Sequence, residues 1–388
     1  MSHSEQKNSE LTKDAVEIEF LQLGTGRFLR AFVDRFAEEA REAGQSVGSI
    51  AVVQSTEGTR ATSIAAQPSG FHVLVRGFQH GDVIDRVQRV QTIAASYMAK
   101  NDWPELLRLI ARGNVRTIVS NATESGYKLD SEDRFSDSPP RSLPAKLTQL
   151  LLARYETKAM PLQVIPCELI ERNAEKLQAL VLEQIELWKL PESFRTWVVQ
   201  DCLWLCNLVD CIVTDGPADH PLAATDQLLA CAEPYALWAI EKPKGRSIEL
   251  FSHPAIQWVD DLSPFYLRKV RMLNGLHSAM VAKFLPAGFQ TVQQVMKDPK
   301  AVRWIRDLLF EEIVPTLAYR LEGVAQFADD VLDRFRNPFQ NHKLADIQLN
   351  HQDKVKVRLQ PTLEEYQKLF GRVPARLHEV LQVNFNKS

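Results

Sequence analysis

The sequence is poor in cysteine and has no C-x2-C pair. Its five cysteines are an odd number in a chain of 388 residues, and no two of them are separated by two residues. A sparse, odd set favours a reducing compartment over a disulfide framework, and the missing pair argues against a structural metal. We therefore expect a cytoplasmic protein that binds no metal.

An excess of one charge and long apolar runs are also absent. The 46 basic and 49 acidic residues leave a net charge of −3, too small to attract nucleic acid or a membrane surface. No uninterrupted apolar run reaches the length of about 18 residues that suggests a membrane span. The first 15 residues lack the apolar core of a secretory signal. We expect no nucleic acid or membrane partner, and a monomer or small homo-oligomer.

What the sequence does contain is a glycine turn near its N-terminus. Residues 16–23 alternate and then become apolar, which predicts a strand, and apolar residues recur at helical spacing after the turn. Strand, glycine turn and helix form the context of a dinucleotide fingerprint, in which the pyrophosphate lies at the helix N-terminus. Leu29 replaces the third glycine of that fingerprint. The turn predicts cofactor binding by Gly24, Thr25, Gly26, Arg27 and Phe28.

A second buried strand is predicted over residues 50–53, as a mononucleotide-binding half requires. Gln54 follows it, at the position where a carboxylate usually binds the ribose hydroxyls. We therefore predict that Gln54 lies at the adenosine end of the cofactor. Gln54 carries no charge that would repel a 2′-phosphate and Arg60 is nearby in sequence, so the residues allow NADP as well as NAD.

Lys269, Asn274 and His277 follow a K-x4-N-x2-H spacing. On an ideal α-helix, Asn274 and His277 would lie about 140° and about 80° round from Lys269, so all three fit one broad face. A desolvated lysine can act as a base, an amide can stabilise an oxyanion, and a histidine can orient groups or relay protons. The spacing therefore predicts a catalytic set. The alternative is a solvated lysine with a buried, hydrogen-bonded asparagine and histidine.

The length of the chain and its hydrophobic content of 45% predict two domains. Predicted strands and helices alternate up to residue 245, the pattern of a parallel sheet covered by helices. After that point apolar residues recur with a helical period. We predict an α/β fold with a Rossmann-type dinucleotide-binding domain over residues 17–245 and a mostly α-helical domain over residues 246–388.

In this order the motifs resemble the polyol-specific long-chain dehydrogenase/reductase family, also known as the mannitol dehydrogenase family. Besides the glycine turn and the Lys269 run, the resemblance rests on short segments between about residue 18 and about residue 359. These segments are Ser120–Tyr127, Pro144–Leu147, Pro166–Ile170, Leu208–Asp210, Val259–Asp261 and Arg334–Pro338. The resemblance implies an NAD-dependent oxidoreductase that interconverts a sugar-derived secondary alcohol and its ketone, with a sugar acid or polyol as its small-molecule partner.

The resemblance also implies roles for individual residues. Lys269 would be the general acid/base, Asn274 would stabilise the alkoxide, and His277 would orient the substrate or Lys269. The nicotinamide carries the hydride chemistry, and NADH is the form that the family favours. The segment after the predicted strand 117–120 adds further cofactor-binding positions, Asn121, Thr123 and Glu124.

Two departures from the family pattern bear on the site. Where mannitol dehydrogenases have Cys-Asp-Asn, this chain has Cys167-Glu168-Leu169, a variant that tagaturonate reductases share together with an asparagine four positions on, here Asn173. Asn173 either contacts the substrate or caps a helix. The family's Val-Asp-Arg motif retains Asp210 but has Cys211 in place of the arginine. Asp210 either contributes to a proton path or forms a structural ion pair.

The segment Arg334–Pro338 bears on the charge of the substrate. Arg336 occupies a position where polyol dehydrogenases tend to have a small residue, and a guanidinium there could bind a carboxylate. We therefore predict a hexuronate pair such as altronate and tagaturonate. The substrate-binding residues would be Asn173, Asp210, Arg334, Arg336, Asn337 and His342. The alternatives are a mannitol or mannitol-1-phosphate type dehydrogenase and a non-catalytic sugar or nucleotide sensor. Arg336 could also be a surface or domain-bridging residue.

Overall fold

A computed structural model describes residues 17–79, 81–122, 126–340 and 342–385, with side chains up to residue 382. The strands of the described chain are β1 (Ile18–Leu23), β2 (Ser49–Gln54), β3 (Phe71–Gln79), β4 (Asp82–Val90), β5 (Ile93–Met98), β6 (Thr117–Ser120), β7 (Gln163–Pro166), β8 (Leu203–Trp204), β9 (Asn207–Asp210), β10 (Val213–Asp215), β11 (Ala230–Ala232), β12 (Leu237–Glu241) and β13 (Ile256–Val259).

Helices of the N-terminal half connect these strands. They are α1 (Arg27–Ala31), α2 (Val33–Glu42), α3 (Arg60–Ala65), α4 (Ala99–Ala111), α5 (Leu143–Glu156), α6 (Asn173–Leu187) and α7 (Glu192–Gln200), with a 3₁₀ turn over Pro221–Ala224. Helix α5 has an N-cap residue at its start. The hydroxyl of Ser142 accepts a hydrogen bond from the backbone N–H of Ala145, and a proline follows within the first turn.

The main sheet has six parallel strands in the order β5-β2-β1-β6-β7-β8. This is the doubly wound order, in which the direction of winding reverses between β1 and β6. Its central strands are buried on both faces, which explains why β1 and β2 are almost continuously apolar. One hydrophobic core includes Phe36 and Val52, and a separate one on the other face includes Leu21 and Leu150. The predicted Rossmann-type fold is confirmed.

Two smaller sheets complete the α/β part. A four-stranded sheet has the order β10-β11-β3-β4, and a three-stranded sheet has the order β13-β12-β9. In the second sheet β12 pairs with β9 antiparallel and with β13 parallel. Strand structure therefore continues to Val259, beyond the boundary predicted at residue 245.

The C-terminal part is helical, as predicted. Its helices are α8 (Ser263–Arg268), α9 (Gly275–Phe284), α10 (Val292–Lys297), α11 (Pro299–Asp307), α12 (Val314–Ala318), α13 (Val324–Phe335), α14 (Leu344–Gln348), α15 (His351–Arg358), α16 (Gln360–Phe370) and α17 (Ala375–Phe385), with π-helical segments over Lys269–Asn274 and Leu308–Ile313. These helices share one core, in which Leu276, Met280, Leu309 and Val331 are fully or almost fully buried.

None of the helices in the described ranges combines the length and apolarity needed to cross a bilayer. The described residues also contain no group of three or more histidine, cysteine, aspartate or glutamate side chains arranged to hold a metal ion. All five cysteines are unpaired thiols, and four of them are buried.

Candidate active site

The Lys269 run does not form the regular α-helix that its spacing suggests. Lys269–Asn274 is a π-helical segment inserted between α8 and α9. Hydrogen bonds in a π-helix run from i to i+5, so residues five apart stack on one face. Lys269 and Asn274 are therefore closer together around the helix axis than the angle of about 140° expected for an α-helix. The wider turn brings the two side chains together on the wall of one cavity.

That cavity has a volume of about 350 Å³ and lies where the α/β part meets the helical part. One wall comes from the loop after β7 and from β9, a second from α8 and the π-helical segment, and a third from α15. The polar residues that line it are Glu168, Glu171, Arg172, Asn207, Ser263, Tyr266, Lys269, Asn274, Asn350, Asp353, Lys354 and Arg358.

Lys269 is only 8% exposed. Its Nζ donates a hydrogen bond to the carbonyl oxygen of Val209 at 2.7 Å and lies 3.5 Å from the Asp210 carboxylate. Burial lowers the pKa of Lys269 below its ordinary value, although the charge of Asp210 opposes that shift. A lysine with a lowered pKa at a cavity wall is suited to exchanging a proton with a bound hydroxyl or carbonyl.

Behind Lys269 lies a buried cluster of ions. The guanidinium of Arg334 donates two hydrogen bonds to Asp210, at 2.9 and 3.0 Å, and reaches Glu233 at 2.7 Å. Burial opposes ionisation of Asp210, but Arg334 and Lys269 hold its pKa below the ordinary value. Burial keeps the pKa of Glu233 raised. The cluster contains two basic and two acidic groups, so its net charge is zero both when all four are charged and when Lys269 is a neutral amine and Glu233 is protonated.

This arrangement does not favour direct substrate contact by Arg334 and Asp210, which stays a prediction. Neither residue is among those that line the cavity, because their polar atoms face each other and Lys269. Arg334 is 4% exposed and also packs against the ring of Tyr235, whose centroid is 4.3 Å from the guanidinium carbon. Both residues act on the cavity through Lys269.

Asn173 and Asn337 connect backbone segments of the framework, and their contact with the substrate stays a prediction. Asn173 is fully buried, donates to the carbonyl of Pro166 at 2.7 Å and accepts from the backbone N–H of Asn207 at 3.1 Å. It thereby joins the end of β7 to β9. Asn337 donates to the carbonyl of Arg76 at 2.8 Å and so attaches the end of α13 to β3. Their hydrogen-bonding groups are occupied by the backbone.

Arg336 lies away from Lys269. Its guanidinium donates to the exposed carboxylate of Asp333 at 3.2 Å, its side chain is 42% exposed, and it does not line the cavity. The structure therefore does not place Arg336 on the cavity wall, and its recognition of the substrate stays a prediction. Of the two arginines in Arg334–Pro338, one is enclosed by the ion cluster and the other faces solvent.

The buried His277 packs against the half-buried His342 next to the π-helical segment. Their ring centroids are 4.8 Å apart, and His277 also packs at 4.6 Å against Phe335. Burial, followed by the positive charges of Arg334, Arg358 and Lys354 and by His342, holds the pKa of His277 well below its ordinary value. Its Nε2 has no hydrogen-bond partner among the described residues. His277 is therefore a neutral imidazole, and its role toward the substrate stays a prediction.

The sequence motifs did not identify several residues that line the cavity. Glu168 is 2% exposed and accepts hydrogen bonds from the backbone N–H of Ala122 at 2.8 Å and the hydroxyl of Tyr127 at 2.9 Å. Lys354 and Arg358 also line it, from α15. Their i, i+4 spacing was visible in the sequence, but only tertiary packing reveals that this face of α15 meets Lys269.

The glycine turn lies at the carboxyl end of β1, where the main sheet reverses its winding. Gly24 has a φ of +140°, and its N–H donates to the carbonyl of Val53 at 3.0 Å. Gly26 precedes α1, and a Cβ built on it would meet nothing within 4 Å. A pyrophosphate needs this kind of open approach to a backbone at the sheet's switch point. The turn therefore fits a dinucleotide.

Other predicted cofactor residues are occupied within the protein. Gln54 organises the loop after β2 by donating to the carbonyls of Thr56 and Gly58, both at 2.9 Å. The amide of Asn121 donates to the carbonyl of Cys167 at 2.7 Å, and Arg27 pairs with Asp215 at 2.7 Å. Thr25 is 8% exposed, and Phe28 stacks on Phe32 with centroids 5.0 Å apart. Thr123 and Glu124 lie outside the described residues.

Comparison with known proteins gives matches over nearly the whole chain. Residues 18–250 match the family model of the mannitol dehydrogenase Rossmann domain, and residues 261–385 match that of the mannitol dehydrogenase C-terminal domain. An altronate oxidoreductase of Bacillus subtilis (strain 168) is 37% identical over 372 residues, which cover 92% of this chain and 77% of the relative. One of Klebsiella pneumoniae subsp. pneumoniae is 35% identical over 371 residues, with the same shares covered.

Two solved structures have the same fold. A D-sorbitol dehydrogenase in substrate-free form superposes with a TM-score of 0.80 at 19% identity, covering 95% of this chain and 80% of its own. The Pseudomonas fluorescens mannitol 2-dehydrogenase, in a ternary complex with NAD and D-mannitol, superposes with a TM-score of 0.77 at 20% identity, covering 95% and 78%. At these identities the two structures support the fold and not a substrate.

Proposed function

The chain belongs to the mannitol dehydrogenase family, and on that premise we propose that it is an NAD-dependent oxidoreductase that interconverts altronate and tagaturonate or a closely related hexuronate pair. The observation that carries this proposal is the buried Lys269, which lines a cavity together with Asn274. The substrate class is supported by the altronate oxidoreductases, which are 37% and 35% identical over 92% of the chain.

In this function Lys269 handles the proton. Its lowered pKa provides a neutral amine that accepts the proton of the substrate hydroxyl during oxidation, and the ammonium returns it during reduction. The ionised Asp210, 3.5 Å away, stabilises the ammonium once it forms. Arg334 keeps Asp210 in position by its two hydrogen bonds. Asp210 and Arg334 are therefore positioning residues in this proposal.

Asn274 lines the same wall of the cavity and donates to the reacting oxygen, where negative charge grows in the transition state. The neutral His277 lies on the first turn of α9 and does not line the cavity, so in this proposal it acts as a positioning residue behind the cavity wall. The nicotinamide supplies or accepts the hydride when it is bound. The turn Gly24–Gly26 holds the pyrophosphate in this proposal, and Gly26 leaves open space for it at the start of α1.

The choice between NAD and NADP concerns the loop after β2. Gln54 has no carboxylate to offer the ribose hydroxyls. Its amide donates to carbonyls of its own loop instead. The proposal favours NAD on the basis of family membership alone, so NADPH is assayed beside NADH.

The test is a spectrophotometric panel. Purified protein is mixed with NADH or NADPH and with tagaturonate, fructuronate, fructose or fructose 6-phosphate. The proposal expects the highest kcat/KM with tagaturonate and NADH. Higher kcat/KM with fructose would favour a polyol dehydrogenase, and higher kcat/KM with the phosphate would favour a sugar-phosphate dehydrogenase. Binding of NADH without turnover of any of the four ketones would favour the sensor alternative.

A further inference from the structure

The charged face of α15 lines the same cavity as Lys269 and Asn274. The cavity-lining residues of this segment recur at helical intervals: Asn350, Asp353, Lys354, Val357 and Arg358. The opposite face enters the core through Val355 and Leu359, which are 2% and 0% exposed. Packing of that apolar face fixes the rotation of α15, and with it the direction in which Lys354 and Arg358 point.

Arg358 is linked to the catalytic helix. Its Nη1 donates to the hydroxyl of Ser278 at 3.3 Å, and that hydroxyl donates to the carbonyl of Asn274 at 3.1 Å. Ser278 directly follows His277 in the chain. Two short contacts therefore connect the guanidinium to a residue that we assign to the reacting oxygen.

Lys354 lies one helical turn before Arg358 on the same face, and its Nζ donates to the carbonyl of Ile347 at 2.9 Å. Both cations line the same cavity as Lys269 and Asn274. Like charges four residues apart on a helix repel each other. An anion bound between them would attract both cations and offset this repulsion.

The other cations near the cavity are engaged elsewhere. The guanidinium of Arg172 is bound to the carboxylates of Glu175 and Glu241. Arg334 is enclosed by Asp210 and Glu233, and Arg336 faces solvent. Lys269 is assigned to the reacting oxygen, and Lys354 and Arg358 have contacts of their own within the helical part. These two cations line the cavity four residues apart on one helix, which makes the face of α15 suited to bind a second, charged end of a substrate.

We infer that Arg358 and Lys354 bind the carboxylate of the substrate, and that they select sugar acids over neutral sugars. This inference rests on the proposed function, since it assigns the charged end of the same substrate. The fork of a guanidinium matches the two oxygens of a carboxylate, and the lysine adds a point charge beside it. The assignment replaces Arg336 in the role that the sequence suggested for it.

The experiment compares kcat/KM for tagaturonate and for fructose, a neutral ketose, in Arg358→Leu and Lys354→Gln. Loss of one charge-assisted contact should lower kcat/KM for the uronate roughly 10- to 150-fold, while kcat/KM for fructose stays within a few fold. Lys356→Gln is the matched control, because Lys356 lies on the same helix, does not line the cavity and pairs with Asp353. Arg336→Leu is the second control, and both controls should behave like wild type.

Several outcomes would overturn the inference. These are equal losses on both substrates, a selective loss in Arg336→Leu instead, or a wild-type preference for fructose 6-phosphate that Arg358→Leu removes. Because Arg358 also contacts Ser278, Arg358→Lys is included, and thermal unfolding and NADH affinity are measured for each variant.

Calorimetric titration of altronate into the protein with NAD separates the two proposals. If wild type turns over no substrate but binds altronate, and Arg358→Leu loses that binding, the proposed function fails and the inference stands. If wild type turns over tagaturonate and both α15 variants do so equally well, only the inference fails. If wild type neither turns over tagaturonate nor binds altronate, both fail.

Discussion

Replacement of Lys269 by alanine tests the central part of the site. General acid–base catalysis contributes roughly 10²–10⁴-fold to rate, so we expect kcat to fall by about that factor in both directions. NADH affinity should be retained, because the glycine turn is at the end of β1 and makes no contact with Lys269. The measurements are initial rates of NADH consumption and a fluorescence titration of NADH.

The pH profile gives the second signature. Oxidation needs the neutral amine and should accelerate as the pH rises through the pKa of Lys269, which burial places below its ordinary value. Reduction needs the ammonium and should slow over the same range. Lys269→Ala should lose both dependences. Small primary amines added to the solvent should restore part of its activity, since the deletion leaves room at the cavity wall.

The ion cluster determines how much stability is lost with the lysine. Removing one partner from a buried ion pair costs roughly 3–5 kcal/mol when the remaining charge is left uncompensated. Here Glu233 can take up a proton, because burial already raises its pKa, and the cluster then stays neutral. We therefore expect a destabilisation below that range and a folded variant. Lys283→Ala is the control, because Lys283 lies on the same run of helix and pairs with Glu379 instead. Turnover of Lys269→Ala within tenfold of wild type would show that the lysine is structural.

Three further predictions concern the cofactor turn and two buried groups. Gly26→Val should abolish NADH binding, because the side chain would fill the open space beside α1 that the pyrophosphate needs. Thermal unfolding should not change, since the φ of −64° suits valine. Normal NADH affinity in a titration would contradict the assignment of the turn. Asp34 is fully buried, and burial raises its pKa from 3.8 to about 7. Since the folded carboxyl holds its proton more tightly than the unfolded one, the free energy of unfolding should fall as pH rises from about 4 through about 7. Asp34→Asn should remove that slope and be more stable than wild type at pH 8, as chemical denaturation at several pH values would reveal; an unchanged slope would rule out this carboxyl as its source. Finally, Arg334→Met should lose roughly 3–5 kcal/mol of stability, because it leaves Asp210 and Glu233 without their shared partner. Arg336→Met should lose at most about 1 kcal/mol, because its ion pair is exposed. Similar unfolding temperatures in the two variants would contradict the role of the cluster.

Local patterns predicted the fold because they follow directly from backbone geometry. A parallel strand covered on both faces is mostly apolar, and four of the six residues in each of β1 and β2 are apolar. A turn with positive φ at the end of a strand favours glycine, and Gly24 occupies it. The motif resemblance to the mannitol dehydrogenase family is confirmed by family models that match residues 18–250 and 261–385.

The same local reasoning failed where a side chain had a choice of partners. Arg334 and Arg336 are two residues apart, and an α-helix turns about 200° over two residues, so only one of them could face the interior. Phe335 lies between them in the sequence and does not reveal which one. The packing of α13 against β3 and the enclosed carboxylates of Asp210 and Glu233 decide it.

The sequence by itself determined the doubly wound α/β fold, the helical second part, the glycine turn and the pairing of Lys269 with Asn274 as candidates for chemistry. Each of these depends on residue type and spacing, which a linear pattern contains. Only the tertiary structure decided that Lys269–Asn274 is a π-helical segment, that Asp210 and Arg334 lie behind the lysine, and that α15 contributes Lys354 and Arg358 to the cavity. Those features depend on which surfaces of distant segments pack together, because burial and the pairing of charges are settled between elements and not within them.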